Sequence, residues 1–252
     1  MKEIPGLLTD KINHKKILIT GGTTGIGRAT AILLAEVGAT VMIVGRNQQP
    51  IDETLTQVRV TNAGRKHIGL ALDLSQKHSI DTLYQTIDDQ WGELDVLINN
   101  VALPAGNTQT GSYEEWQYLV NTNLLSYIAC SHEAIRRMKN KHEGHIINIG
   151  SMSADVKNKD SSLYVATKAA IRGFSGSLRK ECNPLGIHVS LIEPGLVDTD
   201  MHKSSTAEKL RQVDRKEMLK ADDIALSTLF CLLQNDRCSV IEMKVRPLKQ
   251  LI

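Results

Sequence analysis

The chain has 252 residues, of which 41% are hydrophobic, 23% charged and 4% aromatic, a balance that excludes a wholly disordered or collagen-like polymer and suits one α/β domain with a substantial core. Thirty Lys and Arg against 28 Asp and Glu leave a net charge of +2, which argues against a nucleic-acid binder resting on a strong basic excess. Cys130, Cys182, Cys231 and Cys238 are far apart and lack C-x-x-C spacing, so neither a disulfide framework nor a zinc cluster is expected and a reducing cytoplasm is the simplest setting. Residues 1–16 contain no apolar stretch of signal-peptide type, and no apolar run approaches the roughly 18 residues that span a bilayer. A soluble cytoplasmic protein with neither membrane nor nucleic acid as partner is expected.

In chain order, the first predicted strand is 16–20 (KILIT), followed by a glycine-rich turn and a helix over 27–37. Ala29, Ile32, Leu33 and Val37 recur there near i, i+3, i+4, and Gly38 is a plausible stop. Strands follow at 40–44 and 67–71, a helix at 79–90, a strand at 96–99 and a long helix at 114–138. A strand at 145–149, a helix at 162–181, a strand at 188–192, a helix at 222–233 and a strand at 240–245 complete the series. Most strands lack polar alternation, as expected of strands covered on both faces. The β-α-β-α order predicts right-handed crossovers and one doubly wound α/β domain over 1–252, with a mostly parallel seven-stranded sheet, helices on both faces and three layers. The polar stretch 201–220 breaks the rhythm after Glu193-Pro194-Gly195; a substrate lid over 196–220 and a solvated surface helix both fit it.

The first strand runs into Thr20-Gly21-Gly22-Thr23-Thr24-Gly25-Ile26-Gly27. Glycines let a backbone turn tightly and approach a pyrophosphate, while the free N–H groups of a helix start face the anion. The position after a first strand and at the head of the first crossover helix is the context that gives such a turn meaning. The second strand delivers Val44-Gly45-Arg46-Asn47, with no acid before Asp52. A carboxylate there would read the ribose 2′-OH of NAD(H), whereas the Arg46 fork suits the 2′-phosphate of NADP(H), so NADP(H) is favoured over NAD(H). Asp73, after the third strand, is placed either to accept from an adenine amino group or simply to cap the next helix.

Tyr164 and Lys168 are four apart in a helical pattern and share one face. Upstream, the strand at 145–149 ends in Gly150-Ser151-Met152-Ser153, which presents a hydroxyl at the carboxyl edge of the sheet, where open α/β folds bind ligands. Thr20-Gly21-x-x-x-Gly25-Ile26-Gly27, Asn99-Asn100, Ser151 and Tyr164-x-x-x-Lys168 occur in an order that resembles the short-chain dehydrogenase/reductase family over nearly the whole chain. The 13-residue interval from Ser151 to Tyr164 singles out Ser151 over Ser153, and Asn123 matches the family's helical catalytic Asn better than Asn121.

The resemblance implies a Rossmann-type, NADP(H)-dependent carbonyl reductase or secondary-alcohol dehydrogenase with Asn123, Ser151, Tyr164 and Lys168 catalytic and no metal. It implies cofactor contacts at Gly21, Thr23, Thr24, Gly25, Ile26, Gly27, Arg46, Asp73, Leu74 and Asn100. Further contacts would come from Tyr164, Lys168, Pro194, Gly195, Val197 and Thr199, with Pro194-Gly195-x-x-x-Thr199 holding the nicotinamide carboxamide. In that scheme Tyr164 gives the proton while the cofactor gives the hydride, Ser151 stabilises charge on the carbonyl oxygen, and Asn123 holds a water between Lys168 and solvent. A phenol has a pKa of about 10, and half-ionisation near pH 7 needs about 4 kcal/mol, close to what an ammonium about 4 Å away supplies at an effective dielectric near 20. Lys168 is therefore expected to hold the phenol down. A cofactor-sensing regulator without catalysis and an NAD-linked alcohol dehydrogenase are the alternatives; the presence of serine, tyrosine and lysine together favours the enzyme.

Two features depart from the family pattern. Asn99-Asn100-Val101-Ala102 stands where Asn-Asn-Ala-Gly is usual, and Ala102 is expected to be accommodated. The last strand, followed by Arg246-Pro247, lacks a Gly-Gly tail; a homodimer or homotetramer paired through the two long helices is the family-based expectation. His142 and His145 are not expected to bind metal, and Arg136, Arg137, Lys139 and Lys141 read as a solvated helix end, with docking to an acidic carrier protein the lesser reading. Small ketones, 3-oxoacyl chains, sugars and sterols all suit the candidate pocket walls.

Overall fold

A computed structural model describes residues 10–201 and 205–250. The strands are β1 Lys16–Thr20, β2 Thr40–Gly45, β3 Ile68–Ala71, β4 Val96–Asn99, β5 Gly144–Ile149, β6 Ile187–Pro194 and β7 Glu242–Val245. They form one sheet in the order β3-β2-β1-β4-β5-β6-β7, and every pairing is parallel. Chain direction across the sheet reverses between β1 and β4, the crevice at which open α/β folds bind ligands.

The helices are α1 Gly25–Glu36, α2 Gln48–Thr61, α3 Lys77–Gln90, α4 Tyr113–Val120, α5 Ser126–Met138, α6 Ser153–Val156, α7 Ser162–Cys182, α8 Thr206–Asp214 and α9 Ala221–Leu232. Two-fold alternation along each strand divides the core. Ile17, Ile19, Val41, Ile43 and Ile147 pack with residues of α1, α2 and α9, whereas Leu18, Met42, Val44, Leu97 and Ile146 pack with α3, α5 and α7. The apolar runs read in the sequence are thus explained by helices on both faces.

Two helical expectations need correction. Helix α2 has no counterpart among the predicted elements; its buried face is Ile51, Thr54, Leu55 and Val58 in an otherwise polar stretch. The single helix expected over 114–138 is α4 and α5 joined by a π-helical turn at Asn121–Leu125, the local widening that often marks a functional position. In the polar insertion, residues 202–204 of the expected 196–220 lid lie outside the described residues. Thr206–Asp214 of the remainder forms α8, whose Lys209 is buried and donates from Nζ to the Thr199 carbonyl at 2.7 Å. Leu219 exchanges backbone hydrogen bonds with Leu196 (2.9 Å) and Asp198 (2.8 Å), so both flanks of the insertion are tied to the chain after Gly195.

A buried polar ladder joins the strands that end at the crevice to the helices behind them. Asn99 Nδ2 donates to Asn148 Oδ1 at 2.9 Å and to Ser131 Oγ at 3.1 Å, and Asn148 Nδ2 donates to Ser175 Oγ at 2.9 Å. Buried networks of this kind favour one arrangement of the elements that carry them, although Asn99 Oδ1 itself has no partner. The basic run is largely paired: Arg137 with Asp88 and Glu133, Arg136 with Glu133, and Lys141 with Asp95. His142 sits in a left-handed turn, while His145 on β5 stacks 5.5 Å from His188 on β6.

Candidate active site

The site is built on the crossing from β1 to α1. Thr20 Oγ1 accepts from the backbone N–H of Asn100 at 2.9 Å and of Val101 at 3.2 Å, while Asn100 Nδ2 donates to the carbonyls of Thr20 (3.1 Å) and Gly21 (2.9 Å). The carboxyl ends of β1 and β4 are thereby braced at the switch point. A Cβ on Gly27 would lie 2.1 Å from the Gly21 carbonyl oxygen and 2.6 Å from Asn100 Nδ2, so only glycine lets the helix start this close to the turn. Gly25 has a left-handed backbone (φ +49), and a Cβ there would meet the Thr199 methyl at 2.9 Å. The N-cap Thr24 is extended and its side chain caps nothing, leaving the first N–H groups of α1 without a side-chain partner.

One cleft runs from this turn in both directions. Toward β2 and β3 it is lined by Arg46, Asp73 and Leu74; toward β5 and β6 by Ser151, Tyr164, Lys168, Pro194, Gly195, Val197 and Thr199, with Gly21, Thr23, Thr24, Gly25, Ile26 and Asn100 between. Gly27 and Asn123 stand behind the cleft wall. Ala102 faces the cleft and lacks the left-handed backbone that would demand glycine.

At the first end, Arg46 Nη1 donates to the Tyr118 hydroxyl at 3.1 Å, and that hydroxyl donates to Asp73 Oδ2 at 2.9 Å. Burial works to raise the Asp73 pKa, but the Ser75 N–H and hydroxyl, Tyr118 and the Arg46 charge outweigh it and leave the carboxyl below its usual range. Tyr118 was not singled out in the sequence; no motif surrounds it, and only the fold brings α4 over the ends of β2 and β3.

At the other end, Ser151 follows β5 and its Oγ lies 3.0 Å from Ser153 Oγ while accepting from the Ser153 N–H at 3.1 Å. Helix α7 presents Tyr164 and Lys168 one turn apart. Lys168 is 2% exposed and donates from Nζ to the Ile149 carbonyl at 2.9 Å, with its nitrogen 5.7 Å from the centre of the Tyr164 ring and 5.6 Å from that of Tyr127. Burial pushes Lys168 down to about 7, with Glu193 acting the other way. Burial also raises the Tyr164 phenol above its ordinary value, with Ser151 pulling it down. In the free cleft, burial thus sets the direction for both groups, opposite to the downward tuning of the phenol expected from Lys168 together with an oxidised nicotinamide ring.

Asn123 lies in the π-helical turn, fully buried, and spends its amide on the neighbouring loop. Its Oδ1 accepts from the Leu103 N–H at 2.7 Å and its Nδ2 donates to the Leu103 carbonyl at 2.9 Å, with Thr167 Oγ1 at 3.4 Å. The side chain clamps the loop after β4 beside α7. Thr122, its neighbour, lines the cleft with a buried hydroxyl that has no protein partner.

A second cavity adjoins Ser151 and Tyr164 and opens between the loop after β4 and the chain after β6, with Gln250 reaching in from the C-terminal segment. Gln250 Oε1 accepts from the Leu196 N–H at 3.0 Å. A two-part ligand therefore fits the geometry: an extended anionic group along the glycine turn and a smaller molecule in the adjoining cavity, meeting at Ser151 and Tyr164.

Comparisons with known proteins agree with this arrangement. Residues 15–210 match the sequence profile of the short chain dehydrogenase family. An oxidoreductase of Staphylococcus aureus (strain USA300) is 32% identical over 242 residues, covering 96% of this chain and 99% of that protein. One of Staphylococcus epidermidis is 30% identical over 238 residues, covering 94% and 99%. Among solved structures, a metagenomic short-chain oxidoreductase in complex with NADP superposes with a TM-score of 0.81 at 26% identity, covering 94% of this chain and 98% of that one. Levodione reductase shares the fold, with a TM-score of 0.82 at 22% identity and coverage of 92% and 96%.

Proposed function

The chain belongs to the short-chain dehydrogenase family and is an oxidoreductase, and from that premise we propose that it is an NADP(H)-dependent reductase of ketones, with 3-oxoacyl compounds among its candidate substrates. The observation that carries the reading is the cleft itself: Ser151, Tyr164 and Lys168 meet at one end, and Arg46 stands at the other with no carboxylate from the end of β2. The residues present fit a dinucleotide. A Cβ would fill the cradle at Gly27, the N–H groups at the start of α1 have no side-chain cap, and Arg46 offers its fork where a 2′-phosphate belongs.

Bound NADPH supplies the hydride. The protein must then put a proton on the carbonyl oxygen. Tyr164, kept neutral by burial, holds that proton at its hydroxyl at pH 7, which suits reduction better than the reverse reaction. Ser151 Oγ can turn from Ser153 toward a substrate oxygen and stabilise the charge that develops there. Lys168, its pKa lowered by burial, stands one helical turn from Tyr164 to hold charge beside the phenol when its proton departs. Asn123 keeps the Leu103 loop against this group.

We also read the chain as a homodimer or homotetramer. Val120, Leu125 and Ile128 leave 39–49% of their surface exposed along the outer side of α4, the π-helical turn and α5, an apolar strip that pairing would cover. The test of the reaction is NADPH oxidation, followed by absorbance, with a panel of ketones. Tyr164→Phe is expected to lower turnover by about 10²–10⁴-fold while NADPH still binds; equal turnover in the variant would remove the proposed proton donor.

A further inference from the structure

Behind the reacting end of the cleft lies a chain of charges that the proton and hydride chemistry does not use. Glu193 is fully buried at the end of β6, immediately before Pro194 and Gly195. Arg172 grips it with both arms of its fork, Nε to Oε1 at 2.9 Å and Nη2 to Oε2 at 2.7 Å. The remaining arm, Nη1, donates to Asp155. Asp155 in turn pairs with Lys244 Nζ at 2.7 Å, and Lys244 on β7 stands in register with Glu193 on β6. Glu193, Arg172, Asp155 and Lys244 thus form a chain of alternating charge, which runs on from Lys244 Nζ to Glu242 Oε1 at 3.5 Å.

Each member sits on a segment that delivers part of the catalytic group. Arg172 follows Lys168 by one turn of α7 and Tyr164 by two. Asp155 is on α6, one turn after Ser151. Glu193 leads into Pro194–Gly195, and it also underlies the serine turn: a Cβ on Gly150 would lie 3.1 Å from Glu193 Cγ and 3.3 Å from its Oε1. No other described side chain ties these three segments through hydrogen bonds from a single planar group. Backbone bonds from the Gly150 N–H to the Ile192 carbonyl (2.7 Å) and from the Met152 N–H to the Pro194 carbonyl (2.9 Å) join the serine turn to the strand end, and Arg172 adds the side-chain tie that brings the helix carrying Tyr164 into the same set.

We propose that Arg172 is a positioning residue for hydride and proton transfer: its guanidinium, shared between Glu193 and Asp155, holds the Ser151 turn, the Tyr164–Lys168 helix and the Pro194–Gly195 segment in mutual register. Lysine keeps the charge but cannot span both carboxylates with a fixed fork. A misplacement of about 1 Å among reacting groups costs on the order of 100-fold in rate. The proposal rests on the reductase reading, and its test separates the two.

Wild type, Arg172→Lys and Asp155→Asn are loaded with NADPH, titrated for binding sites by nicotinamide fluorescence, and mixed rapidly with the ketone that wild type reduces fastest. A change that only loosens the fold lowers the amplitude of the single-turnover trace; a change in register lowers its rate. For Arg172→Lys the expected result is a rate reduced by about 10–100-fold, with NADPH affinity within twofold and full amplitude per NADPH site. Asp155→Asn leaves the Glu193 fork intact and is expected to lose about three- to tenfold, so it decides the question if the first variant does not fold. Rates within twofold of wild type in every folded variant overturn the proposal while leaving the reductase reading in place. A wild type that consumes no NADPH with any ketone overturns that reading, and this proposal with it.

Discussion

Replacing Gly27 by alanine tests the architecture of the glycine turn directly. The new methyl carbon would stand 2.1 Å from the Gly21 carbonyl oxygen, 2.6 Å from Asn100 Nδ2 and 2.9 Å from the Gly21 carbonyl carbon. Two of these neighbours are backbone, so the start of α1 must retreat by about 1 Å to restore ordinary contact, in a region packed as densely as a crystal. Strain from overpacking costs about 1–3 kcal/mol. Asn100 cannot keep its bonds to the Thr20 and Gly21 carbonyls at the same time as the methyl, and leaving such a buried partner unsatisfied adds about 1–3 kcal/mol. The sum, about 2–6 kcal/mol, corresponds to a fall of about 0.7–3 M in the urea midpoint for a slope of about 2–3 kcal/mol/M. NADPH affinity is expected to fall at least tenfold, because the displaced helix start carries the N–H groups that face the pyrophosphate. Gly64→Ala is the control: nothing lies within 4 Å of a Cβ there, and its midpoint should stay within about 0.5 kcal/mol of wild type. A Gly27→Ala protein with the wild-type midpoint and NADPH affinity would show that the close approach of turn and helix is not required.

Arg46→Ala removes the cation at the far end of the cleft and is expected to weaken NADPH binding by about 10–100-fold, as for loss of a charge-assisted hydrogen bond, while NADH binding changes by about threefold or less; fluorescence titration with both nucleotides checks it, and an equal loss for the two would reject the assignment. His145 offers a pH test. Burial, with the His188 charge adding to it, lowers its pKa to about 3, so the folded chain keeps it neutral while the unfolded chain protonates it near 6.5. Stability is therefore lost as pH falls below 6.5 and continues to fall toward 3; between pH 7 and pH 5 this one group accounts for about 2 kcal/mol. Urea midpoints of wild type and His145→Gln at both pH values should show the variant losing about 2 kcal/mol less, and parallel losses would refute the attribution.

Much of the fold was legible because it rests on short-range periodicity. Ile17, Leu18 and Ile19 announce a strand buried on both faces, and the Tyr164–Lys168 spacing fixes a shared helical face wherever the helix lies. The glycine turn was readable for the same reason, since Gly21 to Gly27 report local backbone demands. Helix α2 escaped because Ile51, Leu55 and Val58 are its only large apolar anchors and polar residues fill the space between. The Arg46–Tyr118–Asp73 and Glu193–Arg172–Asp155 contacts join residues far apart in the chain, and nothing in the spacing of either set foretells them. The direction of the Tyr164 shift in the free cleft was missed for a related reason: a four-residue separation specifies a face shared with an ammonium, whereas burial of the phenol depends on how completely the rest of the fold closes around it.

The widened turn at Asn121–Leu125 gives the long segment from Tyr113 to Met138 one residue more than a regular helix of the same rise would need. Each residue of an α-helix advances the azimuth by about 100°, so side chains before and after the turn obey two different phase relations to the sheet. A wheel drawn through the whole segment therefore misplaces the inward face of one half by about 100° relative to the other. Excision of a single residue there would straighten the rod and bring both halves into one phase, at the expense of swinging Asn123 off Leu103.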